Sequence, residues 1–328
     1  MRIKLAYHSG TGGAERIALC FAHEFAGKEH DVDIERIRRA KDVPVPLTGF
    51  DMLMVVSVVH DFNIPHQMML WLQSLNIPLG LPVAFISVSA GGAAITNRAV
   101  RRSAIKLLKT KGADVFFEDM FPMPCNYFFR IKQPVDAMEM EAYPLMARKR
   151  FGQIMANERK RLKVPLIDRL ITWSCRNAWK RGAAFGQAIT VSDACTACGV
   201  CVMNCPSGNI KLAPILNEDN VSNLIDSDKN AQIASAECPF TEPEPEPVLR
   251  PVFSDKCAIC LNCFYVCEQA ALHPRREKVA VLKEGFDLEK IASRKATDDE
   301  WRSLESFTGG WLYSDIRSYL IEARELRN

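Results

Sequence analysis

The amino-acid sequence predicts two folded parts: a doubly wound α/β domain built on a parallel sheet, and a smaller α+β domain rich in cysteine. Two observations predict this. Strand-like and helix-like segments alternate through the first third of the chain, and one cysteine spacing occurs twice in its second half.

Ile3 to Tyr7 is strand-like, and Ala14 to Ala26 carries Ile17, Phe21 and Phe25 on one side, the spacing of an amphipathic helix. Val32 to Ile37 alternates as a second strand. Met52 to Val59 is a continuous apolar run with turn signals at its ends, as a strand buried on both faces of a parallel sheet requires. A helix from Gln67 to Leu75, a strand from Val83 to Val88, a helix from Asn97 to Lys111 and a strand from Asp114 to Glu118 complete the series. Such alternation builds a parallel sheet covered on both faces through right-handed crossovers. The first domain is expected to span residues 1–130.

Residues 131–187 read as a basic helical connector: between 148 and 181 only Glu158 and Asp168 are acidic, against many Lys and Arg. The cysteine-rich domain is expected over 188–275, with an insertion at about 214–250 that ends in Glu242-Pro243-Glu244-Pro245-Glu246-Pro247. Alternating Pro blocks helix and sheet ladder and favours an extended spacer. A C-terminal extension, 276–328, carries a helix-like stretch from Tyr313 to Leu326.

Hydrophobic residues make up 48% of the 328 residues, enough for a real core, and the formal net charge of +3 argues for neither nucleic acid nor a membrane surface. The longest apolar stretches, Met52 to Val59 and Leu81 to Ile95, are too short or too broken by Pro and Gly to span a bilayer. Met1-Arg2-Ile3-Lys4 leads straight into a strand-like run rather than a long apolar segment, so a cytoplasmic location is expected. Thiols stay reduced there, and clustered members of the 12 Cys are read as metal ligands before disulfides.

Cys195-Thr-Ala-Cys198-Gly-Val-Cys201-Val-Met-Asn-Cys205-Pro206 has the spacing C-x₂-C-x₂-C-x₃-C-P. Cys257-Ala-Ile-Cys260-Leu-Asn-Cys263-Phe-Tyr-Val-Cys267 repeats it, with Glu268 in place of Pro. An iron cubane needs one soft thiolate at each iron, and three thiolates spaced this closely wrap three corners from one loop. In two-cluster ferredoxins the fourth cysteine ligates the other cluster. The expected quartets of two [4Fe–4S] clusters are therefore Cys195, Cys198, Cys201 and Cys267, and Cys257, Cys260, Cys263 and Cys205. The alternatives are two zinc sites or a disulfide knot, but zinc does not need four Cys in eleven residues. Cys20, Cys125, Cys175 and Cys238 stand apart from the motifs and read as incidental thiols.

The first strand runs into His8-Ser9-Gly10-Thr11-Gly12-Gly13-Ala14 and then a helix. A glycine-rich turn there offers backbone N–H groups and the positive end of the helix dipole to an anion, with Ser9 and Thr11 adding hydroxyls. No Gly-Lys-Ser/Thr follows, so it is not a nucleotide P-loop, and its glycines are not spread as in the dinucleotide fingerprint. Two more loops follow strands at the edge where α/β sheets bind ligands. They hold Val59, His60, Asp61, Phe62 and Asn63, and Ser89, Ala90, Gly91 and Gly92. The three together would suit a phosphate at one side and a flat ring between the other two.

Ser9 to Ala14 resembles the phosphate loop of flavodoxins, Val58 to Pro65 their second flavin-contacting loop and Ala90-Gly91-Gly92 the third. A flavodoxin-like domain, a basic connector and a two-cluster ferredoxin make residues 1 to 275 similar to the flavodoxin–ferredoxin fusion proteins (EFR-type ferrodoxins). Met123-Pro124-Cys125-Asn126-Tyr127 resembles the ending of their flavodoxin-like part. The resemblance implies FMN held by the three loops. Three departures stand out. Gly13-Ala14 replaces the usual Asn-Thr, a loss of about 1.5–3 kcal/mol for each hydrogen bond to a charged group. His60 stands where an aromatic ring often stacks, with less area to offer. The gap between Cys205 and Cys257 is long for a ferredoxin.

The leading expectation is an electron-transfer protein, an oxidoreductase component more than a stand-alone enzyme, passing single electrons between two clusters and FMN. A second is a docking subunit of a larger redox complex whose flavodoxin-like domain binds no flavin. A third, an enzyme reducing a small substrate at the flavin, would have to use His60 and Asp61. Redox proteins are the expected partners; no nucleic-acid module or membrane span is read.

Overall fold

The computed structural model describes residues 1–38, 45–94, 97–127, 131, 133–214, 248–274 and 281–327. Five strands form one parallel sheet: β1 (Arg2–His8), β2 (Asp31–Arg36), β3 (Met52–Val58), β4 (Pro82–Ser89) and β5 (Asp114–Pro122). Their spatial order is β2-β1-β3-β4-β5. Period-two alternation sends neighbouring residues to opposite faces. Thus Met52, Met54 and Val56 enter one core with Ile17 and Phe21 of α1 (Gly13–Ala26), while Leu53 and Val55 enter a second with Trp71 of α2 (His66–Ser74) and Leu108 of α3 (Arg102–Thr110). This strand order is the flavodoxin-like variant of the doubly wound fold. The first part of the chain is flavodoxin-like.

Two boundaries differ from the sequence reading for a stated physical reason. The helix expected from Asn97 starts only at Arg102. The Asn97 side chain instead donates to Ser89 Oγ (3.2 Å) and the Gly92 carbonyl (3.1 Å), holding the chain in turns. The strand expected to end at Glu118 continues to Pro122, because its acidic pair is buried and neutralised. Glu118 accepts from Arg101 Nε at 3.0 Å, and Asp119 pairs with Arg150 and Lys160.

The stretch that the sequence groups with the connector divides in two. Helix α4 (Val135–Met155) packs on α1 and the sheet, burying Val135, Met138, Met146 and Ala147 in the same core as Phe25 and Phe121. Helices α5 (Leu166–Ser174) and α6 (Ala178–Gln187) then lead to the cysteines. There β6 (Ile189–Val191) pairs antiparallel with β9 (Leu272–Pro274), and β7 (Ile210–Pro214) with β8 (Leu249–Phe253). Two single-turn helices, α7 (Val200–Met203) and α8 (Asn262–Tyr265), sit inside the two cysteine motifs. Cys238 and the expected insertion, apart from its ends at Pro214 and 248–250, lie outside the described residues.

After α9 (Leu288–Ser293), α10 (Asp298–Arg302) and α11 (Leu304–Phe307), the final helix α12 (Ser314–Arg327) returns to the first domain. Tyr319 meets Phe121 edge to face at 5.7 Å, and Leu320 and Ala323 join the core. Glu322 accepts from Arg150 Nη1 at 2.5 Å and Nη2 at 2.8 Å, tying α12 to α4. No helix among the described residues is long and apolar enough to cross a membrane.

Burial alone would raise Glu322, but hydrogen bonds from Arg150 and Lys149 hold its carboxyl down to about 2, against an ordinary value of 4.5. A carboxylate lowered on folding contributes stability that is fully present above pH 4.5 and lost as pH falls towards 2. Glu322→Gln should therefore cost about 2 kcal/mol at pH 7, and the gap from wild type should narrow below about pH 4 and close only near pH 2. Urea unfolding of both proteins at the two pH values checks this.

Candidate functional site

All three sequence-predicted loops converge at the carboxyl edge of the sheet, after β1, β3 and β4. In the first, Gly12 adopts φ +98°, a left-handed conformation that glycine alone takes without strain. Ser9 is 1% exposed and its Oγ accepts from the Gly12 amide at 3.1 Å. Helix α1 starts at Gly13 with no side-chain cap, leaving its first amides directed at the loop. Thr11 is partly exposed and Ala14 is buried.

The second loop is a two-residue turn. His60 and Asn63 exchange backbone hydrogen bonds of 3.0 Å, with Asp61 and Phe62 both at positive φ, the type I′ pattern. Asn63 Nδ2 donates to the carbonyls of Thr172 (3.3 Å) and Cys175 (3.0 Å) at the end of α5, and Asp61 pairs with Arg181 of α6. Val59 continues the sheet ladder by donating to Val88. In the third loop, Ser89 Oγ donates to the Gly92 carbonyl at 3.0 Å, while Ala90 and Gly91 stay partly exposed. The Ala93 amide donates to Asp315 of α12 at 2.5 Å.

Two histidines face each other beneath these loops, their ring centroids 6.2 Å apart and edge to face. His8 Nδ1 lies 2.7 Å from the Ile37 carbonyl, which can only accept, so Nδ1 carries the proton and Nε2 is a bare acceptor. Burial pushes His8 down to about 4 and His60 to about 3, so both rings are neutral. His8 Nε2 and His60 Nδ1 are buried with no hydrogen-bond partner. The sequence singled out His60 and gave no role to His8; the only signal for His8 was its place at the end of a strand.

The cysteines gather across the two motifs. Burial pushes the Cys201 thiol up, and the neighbouring thiols of Cys195, Cys267 and Cys198 push it further. Burial lifts Cys257 to about 11 with Cys205 adding to it, raises Cys260 beside Cys257 and Cys205, and raises Cys263 beside Cys260, Cys257 and Cys205. Cys201 also acts on Cys263, so the thiols of the two motifs lie near one another. Cys205, Cys257, Cys260 and Cys263 also line one narrow cavity with Phe185, Phe253 and Phe264. Cys198 is exposed and Cys195 partly so, whereas Cys260 and Cys205 are buried.

The donor set is thiolate chemistry. The amides of Asn209, Ile259 and Ala271 donate to the sulfurs of Cys205 (3.2 Å), Cys257 (3.4 Å) and Cys267 (3.4 Å). Such donors favour ionised sulfur, and several buried thiolates together need positive charge at their centre. All eleven described cysteines are free of disulfides. Among the described residues no three His, Cys, Asp or Glu converge as ligands of one metal ion. A cubane makes no such demand, because it spreads four thiolates over four irons.

The second group lies directly on the first loop. A Cβ added at Gly10 would come within 2.7 Å of Cys260 Cβ and 3.3 Å of His60 Nε2. Asn126 Nδ2 donates to the Cys260 carbonyl at 2.9 Å, and its own carbonyl accepts from Tyr265 Oη at 2.6 Å. Gln67 Nε2 donates to the Lys256 carbonyl at 2.9 Å. Cys125, read from sequence as incidental, is buried next to this latch.

No family model and no curated protein matches the chain. Solved structures similar to part of it include a flavodoxin of Streptococcus pneumoniae TIGR4, at 22% identity over 37% of this chain and 83% of that one, with a TM-score of 0.30. Oxidised flavodoxin 1 of Bacillus cereus is 14% identical over 48% and 98%, with a TM-score of 0.35, and an archaeal flavodoxin 13% over 47% and 99%, at 0.32. The fold assignment rests on strand order and not on these likenesses.

Gly10→Ala should destabilise the protein by about 1–3 kcal/mol, since neither Cys260 nor the loop backbone can yield cheaply. Asn126→Ala should cost about 1 kcal/mol. Denaturant unfolding reads both; a Gly10→Ala midpoint equal to wild type would mean that the two parts are not in contact.

Proposed function

We propose that this chain is an electron-transfer protein carrying two [4Fe–4S] clusters and FMN. Cys195, Cys198, Cys201 and Cys267 would hold one cluster, and Cys205, Cys257, Cys260 and Cys263 the other. Residues Ser9 to Ala14, Val59 to Asn63 and Ser89 to Gly92 would hold the flavin. The observation that carries the reading is the placement of the second cysteine group on Gly10, at the sheet edge where doubly wound folds bind ligands.

When bound, the clusters supply one-electron chemistry and the flavin two-electron chemistry that divides into single steps. The protein's own share follows from its residues. Amides of Asn209, Ile259 and Ala271 stabilise thiolate, and aromatic side chains keep water from the second group. The uncapped start of α1 offers amides to a phosphate. His8 and His60 present neutral, unpaired nitrogens under the loops, fitting a polar partner that the chain does not supply. The exposure of Cys198 supports a reading in which the first group meets an external redox protein.

One observation favours a second reading, a redox docking subunit without flavin: Asp315 already takes the Ala93 amide of the third loop. Anaerobic purification with iron and flavin quantitation, followed by EPR of the reduced protein, separates the two. About eight irons and about one FMN per chain are expected. Full iron without flavin selects the docking reading, and a chain that takes up no iron overturns both.

A further inference from the structure

We infer that Gly182 and Gly186 of α6 are positioning residues for the second cysteine group, which makes this helix one wall of the site. The inference rests on the two-cluster reading above.

Residues four apart share one helix face, and each glycine in a helix interior costs about 1 kcal/mol relative to alanine. Helix α6 is ten residues long and carries two on the same face. That face is pressed against Cys257. A Cβ at Gly182 would overlap the Cys257 carbonyl oxygen. A Cβ at Gly186 would stand 2.5 Å from Cys257 Cβ, 3.4 Å from its sulfur and 3.0 Å from Asn209 Nδ2. The first two are backbone or backbone-fixed atoms, so the segment itself would have to move.

Asn209 extends the consequence to both motifs. It is 2% exposed, and its Oδ1 accepts from Ser254 Oγ (3.0 Å) and the Lys256 amide (2.7 Å), just before Cys257. Its own amide donates to Cys205 Sγ at 3.2 Å. One residue thus brackets the two cysteines that come from different motifs, its backbone amide at Cys205 and its side chain beside Cys257, and Gly186 leaves room for that side chain. On the far side the same segment is fixed by Gln67 and Asn126. Cys257 is gripped between α6 and the flavodoxin-like domain, and only glycine on α6 permits the grip.

The test uses the full-length chain, reconstituted anaerobically with iron and sulfide, as wild type, Gly182→Ala, Gly186→Ala and Gly152→Ala. Gly152 is a helical glycine with nothing within 4 Å of an added Cβ, so it controls for the chemical change. Wild type and Gly152→Ala should hold about eight irons; Gly182→Ala and Gly186→Ala should fall to about four, with the EPR of a single reduced cluster. In parallel, the iron-free chains are treated with iodoacetamide and alkylation is followed residue by residue by mass spectrometry. In both α6 variants Cys257 and Cys260 should react about tenfold faster than in wild type, with Cys20 on α1 unchanged. Equal acceleration of every cysteine would reduce the glycines to a general role in folding and overturn the proposal. Unchanged iron, EPR and alkylation would overturn it as well. A wild-type chain that takes up no iron fails the cluster reading instead, and the alkylation pattern still decides the positioning.

Discussion

How near the Cys257–Cys263 segment comes to the carboxyl edge of the parallel sheet governs the rest of the arrangement. Glycine on both sides permits the approach, at Gly10 from the first loop and at Gly182 and Gly186 from α6. Hydrogen bonds from Gln67 and Asn126 to backbone carbonyls then fix the segment without competing for its sulfurs. Contact this close makes the Cys257–Cys263 segment and the sheet-edge loops one structural unit.

The two cysteine groups are unlike in their surroundings. The second is enclosed by aromatic side chains and faces the loops; the first includes the exposed Cys198. Potentials of iron–sulfur centres respond to hydrogen bonds at sulfur and to solvent, so on the two-cluster proposal the unlike surroundings would give unlike potentials. A graded pair suits passage from outside to inside better than two equal stations would.

Much of this was legible in the sequence because the signals are local. Buried parallel strands show as continuous apolar runs, as in Met52 to Val58, and cysteine motifs show as spacing. What was not legible depends on partners far away in the chain. The buried acids Glu118 and Asp119 look like a strand end until Arg101 and Arg150 are found beside them. Helix α4 reads as basic, yet its arginine at 150 points into an ion-pair network and Met138, Met140 and Met146 into the core. The paired glycines of α6 carry no message without Cys257 opposite, and nothing in the local sequence pairs Asp315 with the Ala93 amide.

The return of α12 to the sheet has a mechanical consequence. The cysteine-rich part is entered from α4 through α5 and α6, and left through α9 to α12, so both of its ends are moored to one body. A module tethered at a single end can swing, as shuttling domains do; one tethered at both has little arc left. On the proposed function, traffic between the cysteine groups and the sheet edge would then run over a fixed span, its pace set by that span and not by a hinge.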